Sequence, residues 1–401
     1  IEGLTLDDIK IGGFDGTLVS GKVYKTALQQ ADIRAAISAG LLEAVTLPTE
    51  TYSDIILPTS IGGKNLIWTS SNPEVISATG EIFYPKEVTE VTMTVCIGDQ
   101  TKDFIIKVMP RDISKNLMLD FTFDGNDEGI TLKGNAKANG KLDLTSNTAA
   151  GFSTNGYAIA EEGTLNNLRS YTVLLTVKAD ALNNAPRLYD FGSASGNSLF
   201  LRANPLSAGI KYNGGTTTMV NATQTLATGK EYKLAVTFNA ATKVTTIYID
   251  GVEDASGTAN QSEAYMLAQV AADTRNYIGR TQWWDTSYSV DNVDFDGTID
   301  NFRLYNTALT QEEICEIQGV KYEEKEYATE LVNGDFEGEY SVMQGSGVSS
   351  DRAIYIPEGW TPDYSNANNN DLTALQSGDL YFSNFFASRP RPTDGGERSY
   401  W

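Results

Sequence analysis

Two adjacent tryptophans, Trp283 and Trp284, with Asp285, Tyr288 and Arg280 close by, form the stretch best equipped for chemistry in this chain. An aromatic ring stacks on the apolar C–H face of a pyranose, while carboxylates, amides and guanidinium groups bond its hydroxyls. Neighbouring side chains of an extended strand point to opposite sides, so one indole can be exposed. Arg202, Tyr212 and Asn213 add polar contacts if their strands curve toward the pair. The competing reading packs one indole in the core and lays the other over a loop. On the first reading the partner is a polysaccharide or other glycan.

Residues that could break a bond are scarcer. The 401-residue chain contains no histidine, which removes Ser-His-Asp and Cys-His catalysis and every His-containing metal site. Glycoside hydrolysis by two carboxyl groups, about 5 to 9 Å apart, remains open. Asp291, Asp294 and Asp296 are closely spaced, but they precede a strand and read as a solvated acidic loop. A net charge of −22 repels phosphate backbones and disfavours nucleic acid, and an acidic surface suits an exported protein. No apolar run reaches the ~18 residues of a membrane-spanning helix. Cys96 and Cys315 fall in different expected domains and read as two buried free thiols.

The elements that must position these groups are organised around Phe295 to Ile314, FDGTIDNFRLYNTALTQEEI. Thr298 to Tyr305 has strand character, Asn306 and Thr307 break it, and Thr310 with Glu313 has the spacing of a capping box that opens a short helix. Phe14 to Ile33, FDGTLVSGKVYKTALQQADI, matches it at ten of twenty positions without a gap, so the chain contains an internal repeat. Between the copies, VTMTVCIGD alternates Val91, Met93 and Val95 against Thr92, Thr94 and Cys96. Trp68 lies within an apolar strand and reads as core. Further on, Leu117, Leu119, Phe121 and Phe123 alternate as a half-buried strand. Thr172 to Val177 reads as fully buried, Tyr232 to Phe238 alternates, and Asp250-Gly251 marks a hairpin turn.

The closing phrase FDGTIDNFRLYNTAL and the phrase KLAVTFN…TTIYIDG resemble laminin-G-like, concanavalin-like jelly rolls of secreted bacterial glycan-handling proteins. The resemblance implies an all-β chain, an antiparallel jelly-roll sandwich with a small immunoglobulin-like β-sandwich and partial flanking β modules. Residues 1–40 are expected to be the end of a first laminin-G-like domain. They make the chain part of a longer polypeptide, unless that strand docks on the next domain. Residues 41–110, with LIWTSSNPEVIS, resemble bacterial immunoglobulin-like spacers; 111–319 form the complete jelly roll. Residues 320–401 hold a linker and, in LVNGDFE and EGW, an opening similar to galactose-binding-like modules, with Trp360 and Tyr364 as a structural corner.

Concanavalin-like glycosidases place their carboxylates as Glu-x-Asp on one strand, and no glutamate here is followed by aspartate two positions later. The family resemblance also implies a structural calcium ion, with Asp124 and Asp300 as candidate ligands. The first copy of the repeat carries Val19 where the second has Asp300, so the metal is not forced, and turn-making by Asp124 and backbone bonding by Asp300 stand equally beside it. The leading expectation is a non-catalytic accessory region of an exported multimodular protein, at the cell surface, in the periplasm or outside the cell. It would bind or present carbohydrate next to a glycoside hydrolase in the same polypeptide. The alternatives are an adhesive module for a protein partner, and hydrolysis by this chain itself.

Overall fold

The structure is a computed structural model and describes residues 26–148, 154–166, 168–182, 185–194, 197–211, 218–258, 274–282, 294–323, 340–343 and 354–357. The chain divides into two units, Ile1–Tyr322 and Glu323–Trp401. In the second, Tyr340–Met343 pairs antiparallel with Ile354–Pro357.

Among its described residues the first unit holds two main cores and a smaller apolar cluster of Leu174, Ala235, Tyr248, Tyr305, Leu309 and Ile314. The smaller of the two cores lies under a four-stranded sheet ordered Glu50–Thr51, Gln100–Val108, Thr89–Ile97, Ile67–Ser70, the first pair parallel and the others antiparallel. Val91, Met93 and Val95 are fully buried, as their alternation predicts. Trp68 is core: its ring packs beside Phe104 and its indole N–H donates to the Pro58 carbonyl at 2.8 Å. The helix Gln30–Glu43 runs through the boundary expected at residue 40, because Leu42 and then Val45 plug this core. The repeat is visible in how the two helices begin. Gln30 and Gln311 both open a helix, and the third residue, Asp32 or Glu313, reaches back to the cap backbone N–H at 3.2 or 2.8 Å.

The larger core fills a two-sheet antiparallel sandwich, the jelly roll. One eight-stranded sheet runs Val252–Thr258, Val244–Ile249, Glu231–Asn239, Tyr171–Ala181, Asp296–Tyr305, Leu142–Asp143, Lys137–Ala138, with Leu117–Phe121 also on the Asp296–Tyr305 edge. The other, of seven strands, runs Thr218–Asn221, Leu206–Lys211, Asn197–Ala203, Arg187–Ala194, Asn276–Ile278, Tyr157–Ala160, Ile130–Lys133. Tyr232, Leu234, Val236 and Phe238 enter the core, and the hairpin at Asp250-Gly251 has positive φ at both residues, the geometry a two-residue turn needs. Leu117 departs from its expected half-buried place and is 38% exposed, because pairing begins at the sheet edge and the apolar run turns inward only from Leu119.

Asp296–Tyr305 is the strand that closes the sandwich. Its register against Tyr171–Ala181 slips between Leu174 and Thr176, where Asn301 takes φ 50, and this bulge separates its pairing with Leu142–Asp143 from that with Leu117–Phe121. Gly297 has φ 149, and a Cβ there would lie 2.2 Å from the Lys178 carbonyl oxygen, so glycine is a steric requirement at this position.

The two cores meet at a polar seam, built on the residues that follow the closing strand. The Tyr84 hydroxyl lies 3.0 Å from Thr307 Oγ1, Asn116 bridges the Tyr52 carbonyl and the Asn306 side chain, and Arg111 grips both oxygens of Glu313 at 2.6 Å. Deeper in, Arg169 donates to Glu81 and to the Thr79 and Ile55 carbonyls, while Ser170 donates to Asp54. Gly80 (φ 93) lets the chains close: a Cβ there would stand 2.2 Å from the Ile55 oxygen.

Candidate functional site

On the seven-stranded sheet, period-2 alternation sends Tyr189, Phe191, Leu199, Leu201, Leu206, Ala208 and Ile210 into the core. The same alternation puts Asp190, Ser198, Phe200, Arg202, Ser207 and Lys211 on the outer face. The register sets them side by side: Asp190 opposite Phe200, Arg202 opposite Ser207, Ser198 opposite Lys211. A register shift between Arg187 and Tyr189 turns Arg187 onto this face, where its guanidinium carbon lies 4.5 Å from the Phe200 ring centroid.

An outward face of a sheet is ordinarily wet, yet this one has a buried floor. Asp190 is 0% exposed and Arg187 7%. Asp190 Oδ2 accepts from the Gln282 backbone N–H at 2.9 Å and stands 3.5 Å from Arg187 Nε. Burial pushes the Asp190 carboxyl above its ordinary range, against the opposing pull of Arg187. Three polar atoms here lack a hydrogen-bond partner: Asp190 Oδ1, Arg187 Nε and Gln282 Oε1. Toward the sheet edge the surface opens: Arg202 and Lys211 are half-buried, and Met219 and Asn221 are exposed. Arg202 is held through Nε alone, by the Pro205 carbonyl at 3.1 Å and Ser207 Oγ at 2.9 Å. Burial, then the nearby charge of Arg187, lower its pKa, and burial does the same to Lys211.

Of the residues the sequence nominated, Arg280 is described and is not a surface group. It is 5% exposed, its guanidinium lies 3.8 Å from the Tyr157 ring centroid, and it makes a two-pronged pair with Asp294 at 2.9 and 2.7 Å. Burial alone would lower its pKa, but the hydrogen bond and charge of Asp294 outweigh it and the net direction is upward. The pair anchors the segment that carries Gln282 over Asp190. Asp294 therefore departs from its expected place in a solvated loop, because a buried guanidinium demands a carboxylate beside it. Trp283, Trp284, Asp285, Tyr288, Tyr212, Asn213 and Asp291 lie outside the described residues. Arg202 was nominated as an accessory contact and sits at the open end of the cluster.

Each calcium candidate accepts a local backbone bond through one of its oxygens. Asp124 accepts from the Asn126 amide at 2.9 Å, and Asp300 from the Asn301 amide at 2.7 Å. Among the described residues no group of three or more acidic, histidine or cysteine side chains could hold a metal ion. The two residues alone do not make the oxygen-rich shell that calcium takes. Cys315 is buried and free as expected; Cys96 is free but only half-buried, since its strand position faces away from the smaller core.

Residues 152–315 match the family described as the concanavalin A-like lectin/glucanases superfamily, in agreement with the sandwich observed. No curated protein matches the chain. Among solved structures, it is similar to domain 4 of AbnA, a GH43 extracellular arabinanase from Geobacillus stearothermophilus solved with arabinotriose. That match has 19% identity and a TM-score of 0.37, covering 50% of this chain and 98% of that one. It is also similar to the Ruminococcus gnavus IT-sialidase CBM40 bound to α2,3 sialyllactose, with 14% identity and a TM-score of 0.31, covering 37% of this chain and 83% of that one. No helix among the described residues is long and apolar enough to cross a membrane.

Proposed function

We propose that the jelly roll is a non-catalytic glycan-binding module. It would sit in an exported, multimodular polypeptide that also carries a glycoside hydrolase, with residues 41–110 as an immunoglobulin-like spacer. The observation that carries the proposal is the outer face of the seven-stranded sheet. Polar side chains there are buried with hydrogen-bonding atoms unspent, and they open onto half-exposed Arg202 and Lys211. A pyranose, with hydroxyls around an apolar ring, is the kind of ligand such a face suits. The match to a lectin/glucanase superfamily supports the same reading. The absence of any Glu-x-Asp pair in the sequence supports a binding role over hydrolysis.

Affinity electrophoresis of the whole chain against a panel of polysaccharides tests the proposal. Retardation by at least one glycan is expected, lost or reduced in Asp190→Asn and in Trp283→Ala with Trp284→Ala. Inert behaviour toward every glycan, or turnover of a chromogenic glycoside, would overturn it. Calcium is a separate question: a rise in Tm on adding the ion, abolished by chelator and by Asp124→Ala, would add a structural metal to the module.

A further inference from the structure

Where the two cores meet, the polar seam opens into a cleft of about 560 Å³, a size within the range of ligand sites. One wall belongs to the smaller core. It is the turn from Asn72 to Val75, closed by the Val75 and Ile76 amides on the Asn72 carbonyl at 3.1 and 3.0 Å, with Ile82 to Pro85 beside it. The other wall belongs to the jelly roll: Asn239 at the end of its strand, Ala241, and Thr307, Ala308 and Thr310 before the last helix. The floor joins the walls. Asp54 accepts from the Ile82 amide at 2.8 Å and from the Ser170 hydroxyl, and Ser170 Oγ accepts from the Ala240 amide at 3.0 Å. One chain of hydrogen bonds thus runs from wall to wall and fixes their spacing, and a site preset in this way loses little freedom when a ligand enters.

We infer that this cleft is a second carbohydrate site, separate from the outer face of the seven-stranded sheet, and that it takes a short stretch of neutral glycan chain. Phe83 supplies the ring. It is 47% exposed and belongs to no apolar cluster among the described residues, whereas its neighbours Ile82 and Tyr84 both pack on the smaller core. Its amide donates to the Val75 carbonyl at 3.0 Å, so the two residues stand opposite each other, and both line the cleft. The C–H face of a pyranose stacks on such a surface. Hydroxyls need donors and acceptors around that ring, and both walls provide them. Asn239 Oδ1 accepts from the Ala241 and Thr242 amides at 2.9 and 3.1 Å, which fixes the side chain. Among the described residues no hydrogen bond engages Asn239 Nδ2 or the side-chain amide of Asn72, and both residues line the cleft. Glu74 adds an exposed carboxylate. Charge sets the ligand class. Arg111 is the one cation lining the cleft among the described residues, and Glu313 holds it through both oxygens at 2.6 Å. Asp54 and Glu74 remain, so an acidic sugar meets like charge and a neutral one does not. Residues 41–110 then form half of a binding site in addition to acting as a spacer.

The test is titration calorimetry of the whole chain with neutral oligosaccharides cut from arabinan, xylan, galactan, mannan and β-glucan, with oligogalacturonate and oligolysine as charged controls. At least one neutral oligosaccharide is expected to bind, more tightly than either control. Phe83→Ala and Asn72→Ala should each weaken it by about fivefold or more with Tm retained, and Phe83→Trp should keep it. Asn239→Asp preserves the acceptor that holds the turn, replaces the donor, and should weaken binding as well. The same titrations in Asp190→Asn separate the two sites, because binding in the cleft does not depend on the outer face and persists in that background. Binding lost in Asp190→Asn but unchanged by Phe83→Ala and Asn72→Ala overturns the inference and leaves the outer-face reading standing. Binding weakened by the cleft variants and indifferent to Asp190→Asn supports it. A preference for oligogalacturonate, or for oligolysine, that Phe83→Ala abolishes overturns the neutral class in favour of an acidic glycan or a basic peptide. Failure of every neutral oligosaccharide to bind overturns the inference outright.

Discussion

Two buried polar clusters in this molecule use the same residue types to opposite ends. At the seam between the two cores, Arg169 faces Glu81, Thr79 and Ile55, while Asp54 takes the Ile82 amide at 2.8 Å and the Ser170 hydroxyl. No side-chain atom of Arg169, Glu81, Asp54 or Ser170 is left buried without a partner. On the outer face of the seven-stranded sheet, Arg187 and Asp190 stand 3.5 Å apart, and each keeps an unpartnered atom. A finished network fixes structure, because every lone pair and proton has been answered. An unfinished one spends stability.

The comparison breaks most readily at the seam. Arg169→Ala strands the carboxylate of Glu81 in a buried place and should cost about 3–5 kcal/mol, read by denaturant or thermal unfolding. Gly80→Ala should cost about 2–4 kcal/mol by the same measurement, since it combines a positive φ with a Cβ that meets the Ile55 carbonyl. In contrast, Arg202→Ala on the outer face removes a repelled cation. It should change stability by less than about 1 kcal/mol, on either side of zero, while weakening retardation by the glycan that the wild type binds. A loss comparable to that of Arg169→Ala would show that the two clusters are both structural.

pH sharpens the contrast because the signs differ. Burial alone would raise the carboxyls of Glu81 and Glu313, but hydrogen bonds from Ser77 and Thr79, or from Arg111, hold them below their ordinary value of 4.5. Their contribution is fully present above 4.5 and is lost as pH falls through the depressed values. Asp190 is raised above 3.8, so its contribution is full below 3.8 and lost as pH rises through the raised value. Asp54, at the seam, is raised as well, chiefly by burial, so whole-protein melts mix the two signs. Melts of Glu313→Gln and Asp190→Asn separate them: the first should flatten the acid loss, and the second should gain on the wild type as pH rises. The smallest effect belongs to Arg303, whose pair with Asp120 at 2.7 Å is solvated; Arg303→Ala should shift stability by less than about 1 kcal/mol.

The fold was legible because its signals are local. Alternation in Tyr232 to Phe238, the Asp250-Gly251 turn and the capping box at Thr310 each follow from a few consecutive residues, and the repeat gave the closing strand a second witness. The site was less so. Asp190 lies between Tyr189 and Phe191, and alternation assigns it to the outside, where an aspartate needs no explanation. Only the third dimension shows that this outside is buried. The available clue was Arg202 and Lys211 at outward positions of successive strands, with Arg187 three residues before Asp190; it needed the strand register to become a cluster. Asp294 was misplaced for a related reason, since its partner Arg280 sits fourteen positions away across a segment with no periodicity.

Glu313 belongs at once to the helix that ends the sandwich and to the seam. One of its oxygens accepts from the Thr310 amide and from Arg111, and the other from Arg111 alone. Releasing the neighbouring core therefore also loosens the first turn of that helix, and fraying the helix slackens the hold on the neighbour. The joint therefore couples the two: a pull on the smaller core is passed through Arg111 and Glu313 to the helix laid over the jelly roll.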